Sequence, residues 1–439
     1  MKNSSIGYHT ASMSMKLTTK EASEVYKDFE NFAKETKELG IRPIRVNEAS
    51  PTADEFIKKL YSDFPKYDRI DYKSKNKGLR WDMRRRKHSP AFIKAKLVGE
   101  DKPCSIKIKI NPKVLTGETN SLAAATSDCT KNAEKIFNNE AERISPLLGT
   151  LNTYSYTRID YCFNADIEEL YIGCTPEQMM NLIKRGDIPI GFTERTKYDK
   201  TSHRMKSEDY KFYLMNNSVV INCYWKGKQL EYQYPDNSNL ERARYLIRFE
   251  VQCKYPKVYV MARNVKNKSG CFNSDIINEM VSDEICHSVI QKYFYKTVRS
   301  GDYFTLYGAR KIIESHNFRR DKETRLIWAL ELVNDYRSIA KVKATLTGDE
   351  LDEFKRSLTD LAVISVNPVT IPRNWNIVYI PNLLDSYYDR LGNDTPLTFA
   401  SKRILLKYHD VKRAMTCSDD EMFEAAALAY RAQRGENKK

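Results

Sequence analysis

The sequence lacks the short motifs that mark the common nucleotide and metal sites. It contains no G-x-x-x-x-G-K-[ST] phosphate loop and no G-x-G-x-x-G dinucleotide fingerprint. Its nine cysteines include no C-x-x-C pair, and its six histidines form neither H-x-H nor H-E-x-x-H. These absences argue against a P-loop NTPase, a zinc ribbon, a zinc protease and a disulfide framework. Any metal is therefore expected on carboxylates rather than on imidazoles.

Long apolar runs are also missing. No stretch reaches the roughly 18 to 20 apolar residues that a bilayer span needs. The first twenty residues lack the apolar core of a signal peptide. We therefore expect a cytoplasmic protein with reduced thiols and no membrane partner.

Positive charge, by contrast, is abundant. The chain of 439 residues has 73 Lys and Arg against 58 Asp and Glu, so its formal net charge is 73 − 58 = +15. A basic surplus favours a polyanionic partner, and nucleic acid is the usual one because each phosphate contact releases a counterion. The 28 tyrosines and 17 phenylalanines would also offer stacking platforms for unpaired bases, although core packing explains them equally well.

The patterns along the chain predict an α+β fold in three parts. An N-terminal helical segment is expected over residues 1–70, with a helix around EVYKDFENFAKETKELG. An α+β domain over 71–270 would have an antiparallel sheet with helices on one face and the other face open. A mainly helical C-terminal domain would follow over 271–439, ending in a helix at 419–434.

Three predicted strands form the centre of the α+β domain. They are T157-R-I-D-Y-C-F163, S218-V-V-I-N-C-Y-W-K226 and L246-I-R-F-E-V-Q-C253. Because successive side chains of a strand point to opposite faces, each strand has one apolar face and one face with polar groups. The polar faces hold Asp160, Glu250 and Tyr224, with Lys226 two residues after the tyrosine.

These residue types suit phosphoryl-transfer chemistry. Asp160 and Glu250 on neighbouring strands would hold Mg²⁺ or Mn²⁺, which prefer carboxylate oxygens. Tyr224 would attack a DNA phosphodiester, helped by the metal and by Lys226 beside the phenolate. The product would be a 5′-phosphotyrosyl intermediate and a free 3′-OH. The alternative is that these are three ordinary half-buried strands.

Several blocks resemble rolling-circle replication initiators of phages and plasmids. INCYWKGKQL (221–230) and YLIRFEVQ (245–252) resemble the "YDK…E" and "RFE" blocks of filamentous-phage gene II-like replication endonucleases and of Rep-trans-like plasmid initiators. IKINPKVLTG (108–117), TRIDYCFNADI (157–167) and NPVTIPRNWNIVYIPNLLD (367–385) are similar to other blocks of the same family.

The resemblance implies a Rep-type nuclease core and an enzyme that initiates rolling-circle replication. It would nick and rejoin one strand of origin DNA with Mg²⁺ or Mn²⁺. Tyr224 would be the nucleophile and Lys226 its partner, with Asp160 and Glu250 on the metal. Basic side chains would hold DNA phosphates: Arg84, Arg85, Arg86, Lys87, Arg158, Arg204, Lys206 and Arg248.

Other interpretations stay open at this point. Tyr255 and Tyr259 are rival nucleophiles, although Pro256 between them suggests a turn. A conjugative relaxase would use the same chemistry, and a non-catalytic origin-binding protein would keep the charge without the reaction. Origin DNA is the expected partner, and host helicase and polymerase would follow it. The oligomeric state is open, a homodimer included.

Overall fold

The protein is an α+β protein with a large antiparallel sheet and helices, as the alternating and helical patterns predict. A computed structural model describes most of the chain. The described residues are 3–36, 42–45, 67–73, 78–84, 104–118, 122–170, 172–195, 197–199, 204–206, 209–269 and 273–390.

The strands of the described chain vary from two to thirteen residues in length. They are β1 (Ser5–Leu17), β2 (Arg42–Arg45), β3 (Tyr67–Lys73), β4 (Leu79–Arg84), β5 (Cys104–Ile110), β6 (Ser155–Asp166), β7 (Thr193–Glu194), β8 (Lys197–Asp199), β9 (Arg204–Lys206), β10 (Lys211–Met215), β11 (Val219–Trp225), β12 (Leu246–Lys254), β13 (Tyr303–Phe304) and β14 (Tyr379–Ile380).

Helices precede, interrupt and follow the strands. They are α1 (Thr19–Thr36), α2 (Pro112–Leu115), α3 (Ser127–Ile144), α4 (Pro176–Lys184), α5 (Lys226–Gln233), α6 (Leu240–Ala243), α7 (Tyr255–Ser269), α8 (Asn273–Glu279), α9 (Asp283–Thr297), α10 (Leu306–Ser315), α11 (Arg320–Tyr336), α12 (Ile339–Thr345), α13 (Gly348–Val363) and α14 (Leu383–Arg390). Among these described helices, none has the length and apolar composition needed to cross a bilayer.

Ten strands pair in one sheet, in the order β2-β3-β4-β5-β1-β6-β12-β11-β10-β7. The chain divides into two compact units that share its central strands. The first unit takes the described residues within 1–6, 162–251 and 287–439, and the second takes those within 7–161 and 252–286.

The second unit has an aromatic core centred on Trp81, which is 1% exposed. Its ring stacks on Phe137 of α3 at 5.1 Å and meets Phe29 of α1 edge-on at 5.9 Å. Apolar Ile106 and Ile108 of β5 are buried, as their alternation with lysines predicts. The tryptophan of the basic tract R80-W-D-M-R-R-R-K87 is therefore a core residue.

The first unit buries the apolar faces of β6 and β12 beneath helices. Phe163 and Phe249 both meet Phe294 of α9, at 6.0 and 5.2 Å. Phe163 also meets Tyr387 of α14 at 5.3 Å. A second cluster in this unit, which includes Phe304, Ile312 and Leu361, packs α10, α11 and α13 together.

The N-terminal residues differ from the sequence prediction. Residues 5–17 form β1 rather than part of a helical segment over 1–70, and β1 pairs antiparallel with β5. The physical reason is this pairing, which buries Met13 and Leu17 and leaves the polar residues between them more exposed. The predicted helix around EVYKDFENFAKETKELG is confirmed as α1.

Two helix predictions further along the chain have different outcomes. The pattern of Thr175 followed by Pro176 predicts Thr175 as the N-cap of a helix, and this is confirmed at α4, where Gln178 adds the reciprocal bond of a capping box. The pattern T347-G-D-E350 predicts a capping box at α13, but Thr347 occupies the N-cap position there without a side-chain hydrogen bond, so that box is not formed. The predicted helix at 419–434 lies outside the described residues.

Candidate functional site

The structure brings together two of the predicted site residues, Tyr224 of β11 and Glu250 of β12. These strands are neighbours in the sheet. The Tyr224 hydroxyl donates a hydrogen bond of 2.6 Å to Glu250 Oε1. Tyr224 is 4% exposed and Glu250 is 7% exposed. The predicted meeting of a phenol and a carboxylate is therefore present, but in the interior of the first unit.

Arg248 completes this group from the same strand as Glu250. Its side chain is 1% exposed, and its Nη1 lies 3.8 Å from Glu250 Oε1. Arg248 Nε donates a 2.6 Å hydrogen bond to Asn164 Oδ1 on β6. We call Tyr224, Glu250, Arg248 and Asn164 the buried polar cluster. Its charges are paired, which is the condition under which ionised groups persist in an interior.

Lys226 lies at the border of the buried polar cluster. Its Nζ is 5.8 Å from the centroid of the Tyr224 ring and donates a 2.9 Å hydrogen bond to Gln229 Oε1. Burial, and then the positive charge of Arg248, lower the pKa of the Lys226 ammonium to about 8. The predicted proximity of Lys226 to the phenol is thus observed at the ring rather than at the hydroxyl.

The environment of Tyr224 opposes nucleophilic chemistry. Burial, reinforced by the Glu250 charge, raises the pKa of the Tyr224 phenol well above its ordinary value. A protonated, buried hydroxyl that already donates to Glu250 cannot meet a phosphodiester in this conformation. The expected nucleophile therefore occupies a structural position in the sheet.

Asp160, the other predicted metal ligand, belongs to the second unit. Arg158 forms a bidentate pair with it, from Nε to Oδ1 at 2.6 Å and from Nη2 to Oδ2 at 2.8 Å. The Thr10 hydroxyl of β1 donates to Oδ2 at 2.5 Å. Asp160 is 4% exposed, and both oxygens of this buried carboxylate accept hydrogen bonds from Arg158 or Thr10. Arg158, predicted to contact DNA, serves this carboxylate.

The carboxylates do not form a ready metal centre. Both Asp160 oxygens are held by Arg158 and Thr10, and Glu250 Oε1 is held by Tyr224. Across the part of the chain that the structure describes, no group of three or more His, Cys, Asp or Glu side chains is placed to hold a metal ion. Each of the two predicted ligands is thus already engaged by donors of the protein itself.

The predicted phosphate-binding side chains are distributed differently. Arg248 is buried and bonded to Asn164, so its guanidinium does not reach the surface in this conformation. Arg84 is the last residue of β4, and Arg204 and Lys206 bound β9. The remaining basic residues of that prediction lie outside the described residues: Arg85, Arg86 and Lys87.

The rival nucleophiles Tyr255 and Tyr259 are exposed to solvent, unlike Tyr224. They lie one turn apart in the first half of α7 and are 58% and 56% exposed. Their ring centroids are 6.1 Å apart. Arg263 and Lys266 are also exposed on this helix, whereas Val258 and Val265 are buried. We call Tyr255, Tyr259, Arg263 and Lys266 the α7 tyrosine face.

The position of α7 follows from the strand before it. Ile167 N donates to Tyr245 O at 3.1 Å, and Arg248 donates to Asn164, so β6 and β12 run in opposite directions. The end of β12, where α7 begins, therefore lies beside the first half of β6. That half carries Arg158 and Asp160.

The expected turn at Pro256 is wrong, because α7 begins at Tyr255 and continues through the proline. Proline is tolerated in the first turn of a helix, where its missing N–H has no intrahelical partner to lose. The spacing of four residues between Tyr255 and Tyr259 was the available signal, since residues i and i+4 share a helix face.

Comparisons with known proteins do not assign the chain to a family. Neither protein-family models nor curated protein sequences give a match to this chain.

Proposed function

We propose that this protein nicks and rejoins one strand of DNA through a tyrosine, at an origin of rolling-circle replication. The observation that carries the proposal is the α7 tyrosine face, where two exposed tyrosines and two exposed cations share one helix. The net charge of +15 supports a polyanionic substrate. The resemblance of INCYWKGKQL, YLIRFEVQ and the other blocks to replication initiators supports the choice of an origin.

Exposure decides which tyrosine is proposed as the nucleophile. A phenol must approach a phosphorus atom in line with the leaving oxygen, so it needs an open path to the substrate. Tyr255 and Tyr259 have that path, and Tyr224 does not. We therefore assign the attack to Tyr255 or Tyr259. The buried polar cluster has a structural role in the sheet.

The reaction is a balanced exchange of two phosphodiester bonds. The phenol gives its proton to water as its oxygen bonds to phosphorus. The bond from phosphorus to the 3′ oxygen breaks, and that oxygen takes a proton to become a 3′-OH. The DNA 5′ end stays on the tyrosine until a 3′-OH attacks the phosphotyrosyl bond and releases the phenol.

The cations of the α7 tyrosine face have a distinct role in this scheme. Arg263 follows Tyr259 by four residues, so it lies on the same side of the helix one turn further along. A guanidinium there binds a flanking phosphate through paired N–H donors and offsets its charge. Positioning of this kind, together with charge stabilisation, supplies much of the catalysis in phosphoryl transfer.

The test is nicking of supercoiled plasmid that carries the DNA flanking the gene. Wild type is compared with Tyr224→Phe, with Tyr255→Phe/Tyr259→Phe and with Tyr307→Phe, each with Mn²⁺ and with EDTA. Tyr307 is 51% exposed on α10 and serves as the matched control. With Mn²⁺, the proposal predicts nicking and a covalent protein–DNA band for every protein except the double variant. Loss of nicking with EDTA would support the predicted Mg²⁺ or Mn²⁺ requirement.

A second candidate is a non-catalytic origin-binding protein. It is favoured by the hydrogen bonds that protein donors make to both oxygens of Asp160 and to Glu250 Oε1. Binding to the plasmid without nicking in any condition would favour this candidate. Equal nicking by wild type and by Tyr255→Phe/Tyr259→Phe would instead remove α7 from the reaction.

A further inference from the structure

Aromatic side chains form a second exposed surface, in the first unit. Tyr232 and Tyr234, at the end of α5 and just beyond it, are 71% and 60% exposed. Tyr210, just before β10, stacks on Tyr232 with ring centroids 5.6 Å apart and planes 17° apart. We call Tyr210, Tyr232 and Tyr234 the tyrosine platform.

The Tyr232 end of the stacked pair is open to solvent. Tyr232 remains 71% exposed although the half-buried Tyr210 stacks on its ring. A ligand that covers the exposed Tyr232 ring removes apolar area from water, which is favourable. A flat π-system fits such a position, because offset stacking extends an existing stack by one member.

Cations border the platform. Lys211 Nζ lies 5.6 Å from the Tyr210 ring centroid, and Lys228 Nζ lies 6.0 Å from that of Tyr232. Arg195 lies 5.9 Å from the ring of Tyr213, which shares the outer side of β10 with Lys211. Lys228 is also paired with Glu231 at 2.8 Å. Lys211 and Lys228 thus place positive charge next to the stacked rings, and Arg195 lies beside another residue of the same side of β10. Glu231 and the exposed Asp209, which precedes Tyr210, offset part of this charge.

Aromatic rings next to positive charge favour a ligand with flat bases and phosphates. Unpaired nucleotides offer flat bases to stack and phosphates to pair, whereas paired bases are already stacked within a duplex. A protein partner would satisfy the rings but would have no general need for the bordering cations.

We propose that the tyrosine platform binds single-stranded nucleic acid, by stacking an unpaired base on Tyr232 and holding neighbouring phosphates with Lys211, Lys228 and Arg195. This inference does not depend on nicking by α7, because stacking needs no bond to be made or broken. It also assigns a function to residues outside the three predicted central strands.

The test measures binding of fluorescently labelled dT20 and rU20 by anisotropy, for wild type, Tyr232→Ala, Tyr232→Phe and Tyr307→Ala. Tyr307 is the matched control, because it is exposed in the same unit and has Lys311 Nζ 5.6 Å from its ring centroid. Tyr232→Ala should weaken binding of at least one oligonucleotide about tenfold. Tyr232→Phe and Tyr307→Ala should leave the affinity within about twofold of wild type, because one keeps the ring and the other lies elsewhere.

An abasic oligonucleotide of the same length separates stacking from charge. It keeps the phosphates and has no bases, so wild type and Tyr232→Ala should bind it equally. Equal binding of dT20 and rU20 by wild type and Tyr232→Ala would overturn the proposal. If Tyr232→Ala lost as much affinity for the abasic oligonucleotide as for dT20 or rU20, the proposal would also be overturned, because that loss would not come from stacking on a base. The preferred oligonucleotide identifies DNA or RNA as the source of the unpaired nucleotide.

The two proposals fail separately. Tyr255→Phe/Tyr259→Phe retains every residue of the platform and should bind dT20 or rU20 like wild type even when nicking is lost. A protein that never nicks but loses affinity in Tyr232→Ala would support the platform alone. A protein that nicks through α7 and binds equally well without Tyr232 would support the proposed function alone.

Discussion

At the scale of single residues, the contact between Tyr224 and Glu250 shows why spacing alone does not identify a nucleophile. Alternation along β11 and β12 correctly predicts that these side chains share a face of the sheet. Alternation does not reveal whether that face is covered. Arg248 at 1% exposure and Asn164 at 0% show that it is. The same polar groups that suggest a site also build a paired, buried network.

A first prediction concerns the stability that this network provides. Tyr224→Phe removes the donor to Glu250 Oε1 and leaves a buried carboxylate oxygen short of one hydrogen bond. We expect the free energy of unfolding to fall by about 1 to 3 kcal/mol. Urea denaturation measures it, with the exposed Tyr307→Phe as control and a change below about 0.5 kcal/mol expected there. An unchanged midpoint in Tyr224→Phe would contradict the structural role.

A second prediction follows from the lowered pKa of Lys226. Its folded-state pKa of about 8 lies below the ordinary value of 10.5, so the unfolded chain binds more protons between these values. Stability contributed by this group therefore rises with pH through that window. Relative to Lys226→Met, wild type should gain up to about 2 kcal/mol between pH 7.5 and pH 9.5.

Urea denaturation of both proteins at the two pH values measures this difference. The comparison cancels the titration of tyrosines and other groups that the two proteins share. A wild-type advantage that stays constant or declines with pH would show that Lys226 is not desolvated.

At the scale of helices and strands, the sequence patterns predict local structure well where the signal is local. The N-cap at Thr175 depends on a few neighbouring residues, and it forms as predicted, with Gln178 adding a reciprocal bond. The strand nature of residues 5–17 depends on pairing with β5, which is about a hundred residues away. Pro256 does not distinguish a turn from a helix, because proline is compatible with both a turn and the first turn of a helix.

A third prediction tests how α4 is anchored after its last turn. A Cβ on Gly186 would lie 2.2 Å from Thr297 O at the end of α9 and 3.0 Å from Ile183 O. The backbone would have to move, because a carbonyl oxygen is not the flexible end of a side chain. Gly186→Ala should therefore lower the free energy of unfolding by about 1 to 3 kcal/mol.

The matched control is Asn181→Ala, an exposed position on the same helix. We expect it to change the free energy of unfolding by less than about 0.5 kcal/mol. Thermal or urea denaturation distinguishes the two variants. Equal stability of Gly186→Ala and wild type would show that the backbone at Gly186 has room for a Cβ beside Thr297 O.

At the scale of the whole molecule, the patterns along the chain predict the class of fold and the composition gives the sign of the net charge, but neither predicts the arrangement of the chain. The compact units are discontinuous, because β1, β6 and β12 each contribute residues to both. Such a division depends on contacts between residues far apart in sequence, which periodicity does not contain. Exposure of Tyr255, Tyr259 and Tyr232 is likewise a property of the folded chain.

The most direct test of the account locates the tyrosine that becomes attached to DNA. The covalent complex is trapped on origin-flanking DNA, digested with nuclease and trypsin, and analysed by mass spectrometry. Cleavage after Lys254, Lys257 and Arg263 places Tyr255 and Tyr259 in separate peptides, 255–257 and 258–263. We predict a nucleotide on one of these two peptides. A nucleotide on the peptide that contains Tyr224, or nicking without any tyrosine adduct, would contradict the account.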